Sequence, residues 1–280
     1  MWFMGSWHSQ TNNMARIGLV AGDGELPLIF AKKAKEKGDT VIALGLKGVT
    51  SEELEKYAEK VYWFEWGDLK KALLIAVTQR LRKIALLGKI KKEILFKKSS
   101  KLDDESKKII GSSGGKKDYN ILKGVADLVG TVGIEVIDPT PYLEDLIPVK
   151  SILTKRPPTK EEELDIEYGQ RIASELARLD IGQTVIVKDK TVIALEAVEG
   201  TDETIRRAGK LVDGGFTVVK MARPAQDARF DIPLVGPETV KTIAENRGKV
   251  LALEQKKTFL MNREEAVRIA DESALSIIVI

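Results

Sequence analysis

RIGLVAGDGELPLIFAKKAKEKG, residues 16–38, runs from an apolar strand (Ile17–Ala21) through Gly22-Asp23-Gly24 straight into a helical pattern that Gly38 ends. The same order then repeats down the chain. Val41–Leu44 reads as a strand and Ser51–Glu59 as a helix capped by Ser51, with Glu52, Glu53 and Glu55 in its first turn. Val61–Phe64 is a strand, Asp68–Gln79 a helix, Lys83–Gly88 a strand, Asp118–Val129 a helix and Ile134–Ile137 a strand. Strands alternating with helices imply βαβ units and a mostly parallel sheet. Residues 14–141 are therefore expected to form a Rossmann-like, doubly wound α/β domain.

Residues 142–160 lie in a proline-rich stretch of weak periodicity, expected to connect two domains. From Glu161 the helical period returns through Leu179, and two β-rich runs around Lys188-Asp189-Lys190 predict a hairpin. Helix 202–213, strand Phe216–Met221, helix 237–246, strand Val250–Leu253, helix 262–273 and strand Leu275–Ile280 complete a second, smaller, mixed α/β domain over 161–280.

Composition narrows the chemistry. The chain has 280 residues, 43% hydrophobic and 31% charged, which is ordinary for a globular protein with room for two cores. No apolar run approaches the ~20 residues of a membrane span. With 45 basic and 42 acidic residues the formal charge is +3, so nothing global calls for nucleic acid. Cysteine is absent, which excludes disulfides and thiolate chemistry. The one histidine, His8, sits in MWFMGSWHSQTNN (residues 1–13), which lacks the pattern of a secretory signal and is expected to be a disordered or artefactual extension. Catalysis in the remaining body must rest on carboxylates, lysine, hydroxyls or an oxygen-ligated cation, for which Mg²⁺ is the natural candidate.

The opening turn approaches the dinucleotide fingerprint G-x-G-x-x-G, but Pro27 stands at the third glycine position and the second strand ends in IALGLKG (residues 42–48), with no carboxylate to hold a ribose. A nucleotide-dependent oxidoreductase is thereby disfavoured. What remains is a glycine turn whose amides face an anion or a bulky ligand, or simply a tight turn. Gly88–Gly124 carries eleven lysines against five acids, interleaved at its start with Ile90, Ile94, Leu95 and Phe96. Such a segment suits either an anionic membrane surface or a solvated face.

Three loops of the second domain concentrate chemistry. RLDIGQTVIV brings Asp180, Gly182 and Gln183 to a turn; LEAVEGTDETIRR leaves a strand with Glu196 and Glu199 and opens a helix at Gly200-Thr201-Asp202. MARPAQDARFDIPLVG packs Arg223, Gln226, Asp227, Arg229 and Asp231 into an irregular loop after a strand ending in Lys220-Met221. Loops after the strands of α/β folds are where ligands sit, and acids beside arginines suit a phosphate with a divalent cation. Taken singly, Thr201-Asp202 caps a helix and Asp231 fixes a turn.

GLVAGDGELP, RLDIGQTVIV, AVEGTDETIRR and QDARFDIPLVG, in this order and at these spacings, resemble the LpxI family of UDP-2,3-diacylglucosamine pyrophosphatases, from Met14 to Ile280. The resemblance implies Mg²⁺-dependent hydrolysis of UDP-2,3-diacylglucosamine to UMP and 2,3-diacylglucosamine 1-phosphate (lipid X) in lipid A synthesis. It implies a two-domain form with the acyl-bearing product between the domains, and places the essential aspartate at Asp231. On that footing Asp231 is expected to bind metal or position water, with Asp202 as a further catalytic candidate and Glu199 as a further metal ligand. Gly182, Gln183, Thr201 and Gln226 are expected to read the uridine or sugar hydroxyls; Lys220, Arg223 and Arg229 the phosphates; and Gly22 and Gly24 the diacylglucosamine half. A cytoplasmic protein in transient contact with the inner membrane, homodimeric and without nucleic acid, completes the expectation. The rival is a non-catalytic carrier of an acylated sugar phosphate. This sequence departs from the family in having Asp23 where a third glycine is usual, in its lysine-rich 88–124 segment and in its lead-in before Met14.

Overall fold

A computed structural model describes residues 14–89, 103–104, 106–107, 118–223, 227–230 and 232–280. The chain divides into two compact units that abut in sequence between Leu143 and Glu144.

In the first unit β1 (Arg16–Ala21) leads into α1 (Leu26–Glu36), followed by β2 (Thr40–Leu46), β3 (Lys60–Phe64), α2 (Leu69–Thr78), β4 (Lys83–Leu87), α3 (Asp118–Gly130) and β5 (Glu135–Val136). The strands pair in parallel in the order β3-β2-β1-β4-β5, so the chain reverses direction across the sheet between β1 and β4. Ile17, Leu19, Ala21 and Ile42 are sealed from solvent, as strands of a parallel sheet require. The doubly wound expectation holds.

The expected helix over Ser51–Glu59 is instead a short 3₁₀ turn, Glu52–Lys56. Ser51 does cap it, accepting from the Glu53 amide at 3.3 Å. Leu54 is its one buried residue, so a longer helix would have had no apolar face to bury.

The second unit begins with a strap. Residues 151–153 run antiparallel along β12 (Ser276–Val279), through Leu153 N–H to the Ile277 carbonyl and Val279 N–H to the Ser151 carbonyl. Arg156 then closes on both oxygens of Glu162, at 2.6 and 2.7 Å. Thr159 and Glu162 form a reciprocal capping box that starts α4 (Lys160–Arg178). There follow β6 (Thr184–Lys188), β7 (Thr191–Leu195), α5 (Thr201–Leu211), β8 (Thr217–Lys220), β9 (Leu234–Val235), α6 (Pro237–Glu245), β10 (Val250–Leu253), β11 (Phe259–Leu260) and α7 (Arg263–Glu272) before β12.

The main sheet has the order β12-β10-β8-β6-β7, with β6 antiparallel to both neighbours, so it is mixed as expected. Alternation along its strands builds two cores. Val185, Val187, Val219, Val250 and Ala252 face Ile166, Ala173 and Leu176 of α4. Ile186, Val218, Leu251, Leu253 and Ile277 face Ile205 and Ala208 of α5, Val240 and Ile243 of α6, and Ala266 and Ala270 of α7. Each such aliphatic side chain contributes about 1.5–3 kcal/mol on burial. The β6–β7 hairpin turns through Asp189 and Lys190 at φ 51° and 54°, and buried Asp165 accepts both of their amides. The small parallel pair β9–β11 was not expected; Leu234-Val235 and Phe259-Leu260 each stand beside turn or loop residues, with no long apolar run to mark them.

Candidate active site

Polar residues gather where the strands of the second sheet end. β7 runs parallel to β8, since β6 is antiparallel to both. One edge therefore receives Glu196 just past β7, Lys220 at the end of β8, Glu254 just past β10 and Gln183 just before β6. Three backbone hydrogen bonds extend the ladder there: Glu196 N–H to Thr184 O at 2.9 Å, Met221 N–H to Gln183 O at 2.9 Å and Glu254 N–H to Lys220 O at 3.2 Å.

On this frame Lys220, only 4% exposed, donates from Nζ to Thr201 Oγ1 at 2.8 Å. Thr201 donates to Glu196 Oε1 at 3.0 Å, and the Gln183 amide donates to Glu196 Oε2 at 3.2 Å. Thr184 Oγ1 stands 3.3 Å from Thr201 Oγ1. A Cβ on Gly182 would lie 2.1 Å from the Glu196 carbonyl oxygen, so only glycine lets this turn pack on that strand end. The carboxamide oxygen of Gln183 is buried without a hydrogen-bond partner among the described residues. Thr201 also opens α5, whose N-cap, Gly200 at φ 84°, brings no capping side chain. A buried cation at an uncapped helix N-terminus is the chemistry of an anion site.

The structure thus brings Gly182, Gln183, Thr201 and Lys220 together. Arg223 joins the same loop through an ion pair with Asp180 at 3.1 Å. The other expected residues have separate engagements. Asp202 accepts from Thr239 at 2.8 Å, tying the start of α5 to the start of α6. Glu199 accepts from Arg207 at 2.6 Å and from Thr204 at 3.3 Å. Its own backbone amide, then Arg207, hold its carboxyl below the usual range. Arg229 closes on Asp227, with Nε 2.9 Å from Oδ1 and Nη2 2.6 Å from Oδ2, and Arg229 is the main cause that holds Asp227 below the ordinary aspartate range. Gln226 and Asp231 lie outside the described residues.

In the first unit the glycine turn is joined to the end of β4. Gly22 N–H donates to Leu87 O and Asp23 N–H to Lys89 O, each at 2.8 Å, and Lys89 N–H returns to Asp23 O at 2.9 Å. These amides serve the strand exit rather than facing an anion. A Cβ on Gly22 would meet Lys89 O at 2.7 Å, whereas one on Gly24, at φ 100°, would meet nothing within 4 Å.

Two acids without an expected role also stand here: Glu196, and Glu254, whose Oε2 accepts from the Ala222 amide at 2.7 Å and so fixes the exit of β8. The signal available was position: each is the first residue after an apolar strand, at the edge that carries ligands in such sheets.

The LpxI N-terminal domain family matches residues 16–146 and the LpxI C-terminal domain family residues 149–278. The chain is also similar to UDP-2,3-diacylglucosamine pyrophosphatase LpxI of Caulobacter vibrioides, 26% identical over 277 residues that cover 95% of this chain and 97% of that one. Among solved structures it is similar to the biotin carboxylase domain of a thermophilic 2-oxoglutarate carboxylase, with a TM-score of 0.29 at 14% identity over 71% of this chain and 34% of that one. It is similar too to the Campylobacter jejuni biotin carboxylase, at 0.29 and 11% over 72% and 43%. Superpositions that loose carry no argument, and this chain spans less than half the length of either carboxylase.

Proposed function

The chain belongs to the LpxI family, and from that premise we propose that it hydrolyses the pyrophosphate of UDP-2,3-diacylglucosamine, giving UMP and 2,3-diacylglucosamine 1-phosphate in lipid A synthesis. Its Caulobacter relative bears the name of that activity. The observation that carries the reading is the buried Lys220 ammonium, fixed by Thr201 at the uncapped start of α5.

In this reading Lys220 and Arg223 offset charge on the phosphoryl oxygens as it grows. Gln183, with its unmatched buried oxygen, accepts from the uridine or a sugar hydroxyl. The water oxygen bonds to one phosphorus, and that phosphorus parts from the bridging oxygen, which leaves on the other phosphate. The two protons of water end on the products or in solvent. The Gly22–Gly24 turn serves the diacylglucosamine half, and Asp231 positions the water or a metal ion.

Magnesium dependence is part of the proposal and rests on the resemblance and on a body free of His and Cys. Among the described residues no three acids converge to hold a metal. Glu199 is held by Arg207, a cation that repels a second one, and Asp202 by Thr239. The described carboxylates do not compose a Mg²⁺ site. Transient contact with the inner-membrane surface, supported by the lysines of 88–124, and homodimerisation stand as further parts of the proposal.

The test is release of UMP from UDP-2,3-diacylglucosamine, with Mg²⁺ and with EDTA, by the wild type and by Asp231→Ala. Release that requires Mg²⁺ and collapses in the variant is the expected result. Binding of the substrate without release in any metal would leave a carrier in place of an enzyme.

A further inference from the structure

We propose that Glu196 is a positioning residue for that hydrolysis: its carboxylate orients the Thr201 hydroxyl, which in turn holds the Lys220 ammonium at the sheet edge. Its effect on rate rests on the hydrolase reading; its effect on Lys220 rests on geometry alone.

The directions of the hydrogen bonds follow from what each group can do. A lysine ammonium only donates and a carboxylate only accepts. The single hydrogen of Thr201 therefore points to Glu196 Oε1 at 3.0 Å, and a lone pair receives Lys220 at 2.8 Å. Thr184, at 3.3 Å, is left as a donor to the same oxygen. The second oxygen of Glu196 takes the Gln183 amide at 3.2 Å, so both of its oxygens are engaged and its rotamer is fixed. Gly182 closes over the same strand end, which leaves Glu196 only 8% exposed.

A purely structural strand end has no need of this arrangement. Taking a carboxylate and an ammonium out of water is costly, and apolar replacements are often neutral or better. Here one hydroxyl stands between Glu196 and Lys220. The carboxylate thus acts on the position of the cation through Thr201, which suits an ammonium meant to meet phosphoryl oxygens in a set position.

Glu196→Gln is the smallest perturbation, because an amide has one acceptor oxygen for two facing donors. The experiment measures kcat and KM for UMP release by the wild type, Glu196→Gln, Thr201→Val, Thr201→Ser and the Glu196→Gln/Thr201→Val pair. Alongside, the Lys220 ammonium is followed by ¹⁵N-lysine NMR, assigned with Lys220→Met. The expected result is a loss of about 10- to 100-fold in kcat for Glu196→Gln with KM little changed. The pair loses no more than Thr201→Val alone, Thr201→Ser keeps the rate, and the ammonium resonance moves or broadens in Glu196→Gln. Wild-type kcat with an unmoved resonance in Glu196→Gln, or losses that add in the pair, would overturn the inference. A wild type that releases no UMP would sink the hydrolase reading instead, and the resonance would still decide whether Glu196 holds Lys220. Should Glu196→Gln fail to fold, the contrast between Thr201→Ser and Thr201→Val decides the same link.

Discussion

The two sheets end in opposite ways. At the end of β1 and β4 the first unit is closed by backbone on backbone, with Gly22 and Asp23 bonded to Leu87 and Lys89, and the Thr50 hydroxyl donating to Ala21 O. Its buried polar residues, among those described, are Thr50 and Ser106. The second sheet ends in ionisable groups: Glu196 and Lys220 are buried and Glu254 nearly so, its side chain 16% exposed. Glycine closes a strand end at no cost in desolvation, whereas buried ions are expensive. That contrast is the ground for placing the proposed chemistry in the second unit.

The strongest way to break this contrast is Lys220→Met, which keeps most of the stem and removes the charge. Loss of one preorganised donor lowers kcat by about 100- to 1000-fold. A variant with wild-type kcat would remove Lys220 from the site. Next come the paired substitutions Gly182→Ala and Gly22→Ala. Each added methyl meets backbone, at 2.1 Å from Glu196 O and 2.7 Å from Lys89 O respectively, and costs about 1–3 kcal/mol in denaturant unfolding. Gly182→Ala should also lose rate, because the displaced strand end carries Glu196, whereas Gly22→Ala should keep its kcat. The reverse pattern would put the reacting centre in the first unit. Gly24→Ala is milder, about 1–2 kcal/mol from its backbone conformation at φ 100°. Its methyl would stand in open space, so a rise in KM would place the ligand against the turn, and an unchanged KM would remove the turn from the site.

Fold was far more legible in the sequence than the site, for a physical reason. Runs such as Ile17–Ala21 and Val250–Leu253 declare themselves because burial on both faces demands uninterrupted apolar residues. The hairpin at Asp189-Lys190 was visible as a polar break between two β-rich runs, although its clamp, Asp165, lies a whole helix and strand away and carries no local mark. The site depends on such distant meetings. Lys220 was recognisable as the charged end of an apolar strand, and Thr201 as a helix opener, but their bond spans nineteen positions and depends on β6 running against β8. Glu199 drew attention by standing beside Gly200-Thr201; three positions earlier, Glu196 is the acid whose strand end faces the lysine. Only sheet order tells those two apart.

The smallest effect concerns the clasp of Asp227 on Arg229, where an acid and a cation pair directly while only partly buried. Arg229 lowers the Asp227 pKa, so the folded state favours the ionised carboxylate. The stability this contributes is present above the unfolded value, about 3.9, and is lost as pH falls through the lower folded value. The Arg229 side chain is 45% exposed, so screening limits the contribution to about 0.2–1 kcal/mol. Urea midpoints of the wild type and Asp227→Asn should therefore differ slightly at pH 7 and converge as the pH falls below the lowered folded-state value. A gap that persists in acid would mean that Asp227 acts through hydrogen bonding rather than charge. The same variant sharpens the contrast between the edge and its flanking loop: if Asp227→Asn keeps full kcat, Arg229 is a clasp for the loop. If kcat falls although stability barely moves, the aspartate is aiming that guanidinium at the phosphates, and the site reaches beyond the buried network around Lys220.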